Sequence, residues 1–167
     1  VLNHKAGGGN QISDVTVVGA GPASIYSNDM RPASWADGTP TANGTNNTNG
    51  LNVAGIGSGF TVTAPADTML RSLIVHVGGF RSAGTLRAHL SDGSVTDYVD
   101  TTQLLNTQFD RNYTLTYKAA GPGQTLLVSW VMSSGDGNVT ISAASLSAPP
   151  GVITANAGTP QSAVVNT

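Results

Sequence analysis

Short alternating runs of apolar and polar residues, punctuated by Gly, Pro and Asp, fill the sequence from Gly59 to Asp100. A period of two predicts strands with one buried face, because successive side chains of a strand point to opposite sides of its sheet. Similar runs follow at 113–117, 126–132 and 139–143. About eight such runs predict an all-β fold, an antiparallel β-sandwich of the jelly-roll or immunoglobulin-like kind.

The composition favours strands over helices and narrows the range of partners. Glu is absent, all nine acidic residues are Asp, and Gly numbers 21. Charged residues make up 10% of the chain, the net charge is -2, and the cations are scattered, so neither nucleic acid nor an anionic membrane surface is an expected partner. No apolar run is long enough to span a bilayer. The absence of Cys excludes disulfides and thiolate chemistry.

A candidate binding face follows from the strand alternation. The inward set is expected to comprise apolar residues of two runs: Leu73, Val75, Val77, Leu86, Ala88 and Leu90. The runs are predicted to pair as a hairpin through GGFRSAG, and a second turn is expected at SSGDGN. His76, Arg87 and His89 would then share the outward face, with Phe80 and Arg81 at its rim. An aromatic ring beside donors suits glycan recognition; the alternative is a solvated face that keeps the sheet soluble.

The irregular segment from Asn28 to Asn52 offers a second candidate. It contains Pro, an Asp-Gly turn and a polar Asn/Thr tract, and a loop of this length is commonly functional or mobile. Trp35 in this loop, paired with Tyr26, is either a stacking platform for a ligand or a staple that pins the loop to the sandwich. Trp130 continues the alternation of the apolar residues Leu126 and Val128, which predicts that it is a core residue.

The carboxylates are the candidate groups for metal binding and for catalysis. Asp97 and Asp100 flank Tyr98 at a short strand edge and could contribute to a Ca²⁺ site, although Asp in turns also bonds the local backbone. Glycoside hydrolysis uses two carboxylates in different environments, and every acid here is an Asp in a turn context. No nucleophile or metalloprotease motif occurs. The sequence therefore predicts a protein that is not an enzyme.

Several segments together resemble a recurring β-sandwich module of large modular bacterial extracellular proteins, including polysaccharide-active ones. The segments are NHKAGGGNQIS at 3–13, SWADGTPT at 34–41, GFTVTAPAD at 59–67, HLSDGS at 89–94, NYTLTYKAAGPGQTLLVSW at 112–130 and GNVTISAASL at 137–146. The resemblance implies a carbohydrate-binding-like module over residues 1–147, at the cell surface or outside the cell. It implies no catalytic signature.

The C-terminal residues 148–167 resemble a different unit. VITANAGTPQSAVVNT at 152–167 is similar to the opening strand of a bacterial immunoglobulin-like repeat, with APPG as the linker before it. Because the first residue is Val rather than Met, we expect a piece of a longer protein. Two hypotheses follow: a non-catalytic module that binds a glycan or cell-surface polysaccharide, or a structural spacer, adhesin or filament subunit whose tail adds a strand to a neighbouring sheet.

Overall fold

The computed structural model describes residues 2–8 and 11–147, and the regular structure there is almost entirely β-strand. A short 3₁₀ turn covers Ala6–Gly8. The strands are β1 (His4–Lys5), β2 (Thr16–Val18), β3 (Ser24–Tyr26), β4 (Ala33–Trp35), β5 (Gly38–Thr39), β6 (Gly44–Asn47), β7 (Gly50–Ala54), β8 (Gly59–Ala66), β9 (Arg71–Leu90), β10 (Tyr98–Thr101), β11 (Leu105–Tyr117) and β12 (Gln124–Ser147).

Two long strands, β9 and β12, pair with each other along most of their length and contribute to both layers of the molecule. Sheet I has the order β2, β8, first half of β12, second half of β9, β10. Sheet II has the order β3, β7, second half of β12, first half of β9, β11. All these pairs are antiparallel, which confirms the predicted antiparallel β-sandwich.

The two long strands change sheets at one shared corner. Irregular register in β12 between Met132 and Asn138 marks the corner, and Phe80 pairs with Asn138 beside it. Gly137 is required there because a Cβ at this position would overlap the carbonyl oxygen of Phe80. The buried Ser82 hydroxyl donates a hydrogen bond to the carbonyl of Asn138 (2.6 Å), which holds the bent strands together.

The predicted hairpin through GGFRSAG and the predicted turn at SSGDGN are therefore wrong. Each glycine-rich segment lies inside a continuous strand, and the two segments face each other across the corner. Their backbone groups find partners in the opposite bent strand, so neither segment needs to close a turn of its own. Bulges and glycines commonly bend strands at such corners.

The core lies between the two sheets, and the predicted inward residues of β9 are all buried: Leu73, Val75, Val77, Leu86, Ala88 and Leu90. Trp130 of sheet I is only 1% exposed, which confirms its predicted core position. Its indole Nε1–H donates to the carbonyl of Gly78 in sheet II (2.9 Å). The rings of Phe109 and Tyr113 lie 6.4 and 6.1 Å from it.

Two tyrosines of β11 also connect the layers through their hydroxyl groups. Tyr113 donates to the Asp100 carboxylate (2.5 Å), and Tyr117 donates to the carbonyl of Pro65 (3.0 Å). Both acceptors lie on strands of sheet I. Aromatic rings thus fill the space between the sheets while their polar ends are satisfied at its edges.

The segment expected to be irregular, 28–52, contains several short strands. Strand β4 pairs with β6, and β1 pairs with β5, as two small sheets apart from the sandwich. The predicted linker and repeat start, 148–167, lie outside the described residues, and so does the proposed strand addition. Within residues 2–8 and 11–147, no helix is long and apolar enough to cross a bilayer.

The corner gives a test of the fold. Gly137→Ala should lower the free energy of unfolding by about 1–3 kcal/mol or more, because the backbone must shift to relieve the overlap with Phe80. Gly121→Ala is the matched control, since a Cβ there meets open space. Urea denaturation of both variants checks this, and equal stability of the two would contradict the role of the corner.

Candidate functional site

The predicted His/Arg face is divided between the two sheets. His76 lies on the first half of β9, in sheet II, whereas Arg87 and His89 lie on its second half, in sheet I. All three side chains are exposed or half-buried on outer faces, so the assumed alternation holds. The corner between them turns the outer faces of the two sheets away from each other. The prediction that His76, Arg87 and His89 share one surface patch is therefore wrong.

Arg87 and His89 instead form a cluster with Asp97 on sheet I. His89 Nδ1 lies 2.6 Å from Asp97 Oδ1, and the Arg87 guanidinium pairs with Asp97 Oδ2. The hydrogen bond to His89 has the largest effect and lowers the pKa of the Asp97 carboxyl. Burial opposes this shift and the Arg87 guanidinium adds to it, so the pKa lies below its usual value. The charges of this cluster are satisfied among its own members.

The proposed calcium ligands Asp97 and Asp100 have separate partners. Asp97 contacts the outward cluster just described, while Asp100 pairs across the ladder with inward-facing Leu86 and accepts the Tyr113 hydroxyl. In the part of the chain that the structure describes, no group of three or more His or Asp side chains is arranged to hold a metal ion.

Two other predicted residues, Tyr26 and Phe80, do come together. They line an open groove of about 320 Å³ on the outer face of sheet II, here called the Phe80 groove. The Phe80 side chain is 45% exposed. The lining residues are Tyr26, Asn28, Asn52, Gly79, Phe80, Gln108, Asn138 and Thr140.

The strand register explains why these side chains meet. Phe80 of β9 pairs with Asn138 of β12 on one side and with Gln108 of β11 on the other. Thr140, two residues after Asn138 on β12, pairs with Asn52 of β7. Residues opposite each other on neighbouring strands share a face, so five side chains from four strands form one continuous surface.

Three amides of the Phe80 groove have fixed orientations. Asn28 Nδ2 donates to Gln108 Oε1 (3.0 Å), and Gln108 Nε2 donates to the backbone carbonyl of Asn28 (3.1 Å). Asn52 Oδ1 accepts from the Ser24 hydroxyl (3.1 Å), and Asn52 Nδ2 donates to the Ser24 carbonyl (3.1 Å). Each amide keeps hydrogen-bonding capacity beyond these contacts.

Arg31 anchors the loop that carries Asn28 into the groove. Its guanidinium donates to both carboxylate oxygens of Asp29 and to Asp110 Oδ1, each at 3.1 Å. It also donates to Asn112 Oδ1 (2.7 Å) on β11. The Asp29 side chain is 1% exposed and the Arg31 side chain 18%, so this is a largely desolvated network.

Burial and the contacts with Arg31 and Asp29 shift the pKa values of the residues in and beside this network. Burial would raise the pKa of Asp29, but hydrogen bonds from Arg31 and Tyr26 outweigh it and hold that pKa well below its usual range. Burial raises the pKa of Asp110, with Arg31 opposing and Asp29 adding to the shift. Burial, then the hydrogen bond to Asp29, raises the pKa of Tyr26. Burial, then the Arg31 charge, lowers the pKa of His76.

Arg81 and Trp35 lie outside the Phe80 groove. Arg81 follows Phe80 at the corner and pairs with Asp136 of β12. The Trp35 indole donates to the carbonyl of Thr41 (3.0 Å), and its ring packs over Gly44. Both contacts lie within the segment 28–52 itself, so they fold this segment on itself and do not tie it to the sandwich. Trp35 borders a second open groove, of about 410 Å³, whose other lining residues are Thr41 and the run 43–49.

Sequence reasoning missed the amides of the groove and the Arg31 network. Asn52 and Asn138 each precede a buried Val, at positions where alternation alone predicts an outward side chain. That signal exists in the sequence, but it does not say which strands are neighbours. The contacts of Arg31 with β11 join residues about 80 positions apart in the sequence, so no local sequence pattern predicts them.

Comparison with known proteins supports the fold. No family model matches the sequence, and no curated protein matches it. Among solved structures, the carbohydrate-binding module TmCBM61, in complex with β-1,4-galactotriose, aligns at TM-score 0.50 and 11% identity, over 82% of this chain and 90% of that one. The CBM22-1 xylan-binding domain from Paenibacillus barcinonensis aligns at TM-score 0.50 and 12% identity, over 87% and 91%.

A third structure is part of a larger protein. The enzymatically active domain of tailspike protein 4 from bacteriophage CBA120 aligns at TM-score 0.50 and 11% identity. The alignment covers 82% of this chain but 20% of the tailspike chain, so the protein spans about a fifth of that relative. The chain thus has the β-sandwich fold found in carbohydrate-binding modules, as the sequence resemblance predicted.

The Arg31 network gives a prediction for stability. Arg31→Met should lower the free energy of unfolding by about 3 kcal/mol, because Asp29 would stay buried without its cation. Arg81→Met is the matched control, since the Arg81–Asp136 pair is exposed and such pairs contribute little. Urea titration at neutral pH checks this. Equal effects of the two substitutions would show that the network does not hold the loop.

The lowered pKa of His76 predicts a pH dependence of stability. The unfolded chain takes up a proton at His76 near pH 6.5, whereas the folded chain resists protonation, so the free energy of unfolding should fall as the pH drops through this value. His76→Gln should flatten this fall. Denaturant midpoints measured from neutral to mildly acidic pH provide the test, and identical pH profiles for the two proteins would contradict it.

Proposed function

We propose that this protein is a non-catalytic module that binds a glycan in the Phe80 groove. The observation that carries the proposal is the half-exposed Phe80 ring set among the amides of Asn52, Gln108 and Asn138. An aromatic ring can stack on the apolar C–H face of a sugar, and amides can donate to and accept from its hydroxyl groups. Ligand sites commonly combine such apolar area with a few fixed polar groups.

The preset geometry of the groove supports the same function. The amides of Asn28, Gln108 and Asn52 are already oriented by hydrogen bonds, so a ligand would not have to order them. Groups that are ordered before binding reduce its entropic cost. The groove floor consists of paired strands rather than a loose loop, which keeps the lining residues in place.

The comparisons support a glycan as the class of ligand. One structure with this fold was solved with β-1,4-galactotriose, and another is a xylan-binding domain. Sequence identity of 11–12% leaves the particular sugar to experiment. Both neighbours are described as binding modules, which fits a module of a protein that works on extracellular polysaccharide or at the cell surface.

The chemistry of the groove fits binding rather than hydrolysis. Hydrolysis of a glycosidic bond needs two carboxyl groups placed on either side of it. The residues that line the groove include no carboxylate. The adjacent Asp29 and Asp110 are both hydrogen-bonded to Arg31.

Removal of the aromatic ring tests the proposal. Phe80→Ala should weaken binding to a retained polysaccharide at least about tenfold, because an exposed ring at the centre of a binding surface commonly dominates its affinity. Affinity electrophoresis against a panel of soluble plant and bacterial polysaccharides, followed by calorimetry on the best one, measures the effect.

Two matched variants sharpen this experiment. Tyr98→Ala removes a similarly exposed ring, 50% exposed, from β10 of sheet I and should bind as the wild type does. Trp35→Ala tests the second groove. Loss of binding in Trp35→Ala with full binding in Phe80→Ala would move the site to the Trp35 loop, and retention of the wild type on no polysaccharide would refute glycan binding.

A further inference from the structure

We infer that the Phe80 groove selects uncharged sugars and excludes uronates and sulfated glycans. This inference rests on the proposed function, since it names the class of glycan that the same groove takes. Its basis is the chemistry of the lining: one phenyl ring, one phenol, one hydroxyl, a glycine and four carboxamides. None of these eight residues carries a side-chain charge at neutral pH.

Two arginines beside the groove, on the loop that carries Asn28 and next to Phe80, are already paired. Arg31 gives its donors to Asp29, Asp110, Asn112 and a backbone carbonyl. Arg81 pairs with Asp136. An anionic sugar placed in the groove would have to lose part of its hydration without gaining a cation, and a charge buried without a partner is strongly unfavourable.

The carboxamides match hydroxyl groups better than they match an anion. A sugar hydroxyl is both a donor and an acceptor, and a carboxamide supplies both an N–H and a carbonyl oxygen. Among the described residues, the Asn138 side chain makes no hydrogen bond, and Asn28 Oδ1 accepts none, so both remain available to a ligand. A carboxylate or sulfate only accepts hydrogen bonds, and carbonyl oxygens facing it would repel it.

Phe80 contributes to the same selection. The face of an aromatic ring carries partial negative charge, which favours contact with polarised C–H groups and disfavours an anion. Phe80 lies between Asn138 and Gln108 in the ladder, so a sugar stacked on the ring brings its hydroxyls within reach of amides on both sides. The arrangement suits a neutral pyranose or a short neutral oligosaccharide.

A charge-sorted polysaccharide panel tests the inference. The neutral arm contains β-1,4-galactan, unsubstituted xylan and mixed-linkage β-glucan; the anionic arm contains polygalacturonate and alginate. The wild type should be retained by at least one neutral polymer, with equal affinity at low and high NaCl, and by neither anionic polymer. Salt-independent binding is expected because no ion pair with the ligand is formed.

Substitution of one lining amide gives a second readout. Asn138→Asp keeps the shape of the side chain but adds a charge and removes the N–H donors, so binding to the retained neutral polymer should weaken about tenfold. Asn106→Asp on β11, outside the groove, is the matched control and should bind as the wild type does. Unfolding midpoints of both variants separate loss of binding from loss of fold.

The outcomes distinguish the two proposals. Retention on polygalacturonate or alginate that disappears in Phe80→Ala and weakens with NaCl would overturn selection for neutral sugars while supporting glycan binding in this groove. Full affinity of Asn138→Asp for the neutral polymer would also overturn the selection argument. Retention on none of the five polymers would overturn glycan binding itself, and the inference with it.

Discussion

The shared corner of β9 and β12 is the constraint on which the rest of the structure depends. The two strands pair through the bend, so each gives one half to sheet I and the other half to sheet II. Gly137 permits the close approach, and Ser82 ties the strands together by its hydrogen bond to Asn138. With the layers joined in this way, Trp130 can reach the Gly78 carbonyl of the opposite sheet, and the core closes around it.

The same corner builds the candidate binding site. Phe80 and Asn138 are paired where the strands begin to bend, and both point to the outer face of sheet II. Strand β11 adds Gln108 beside Phe80, and β7 adds Asn52 next to Thr140. The loop that Arg31 anchors supplies the last amide, Asn28. Backbone pairing therefore fixes the floor of the groove, and one desolvated ionic network fixes its wall.

Several charged side chains of this protein pair with each other and do not line the groove. Arg31, Arg81 and Arg87 each pair with carboxylates of the chain itself, and the network around Arg31 is largely desolvated. The carboxamides that line the groove keep hydrogen-bonding capacity beyond their contacts within the protein. The charged pairs and the candidate groove are therefore built from different residues, and the lining of the groove is polar but uncharged.

The sequence by itself determined the alternating runs of the main strands, the inward positions of β9, the core role of Trp130 and the antiparallel sandwich, because alternation and composition are local signals that do not depend on topology. It also singled out Tyr26 and Phe80, but it joined Phe80 to Arg87 and His89 through a hairpin that does not exist. Only the tertiary structure decided that the two glycine-rich segments pair with each other. Pairing between strands that are distant in the sequence decides which outward side chains become neighbours. The alternation of apolar and polar residues contains no information about that pairing.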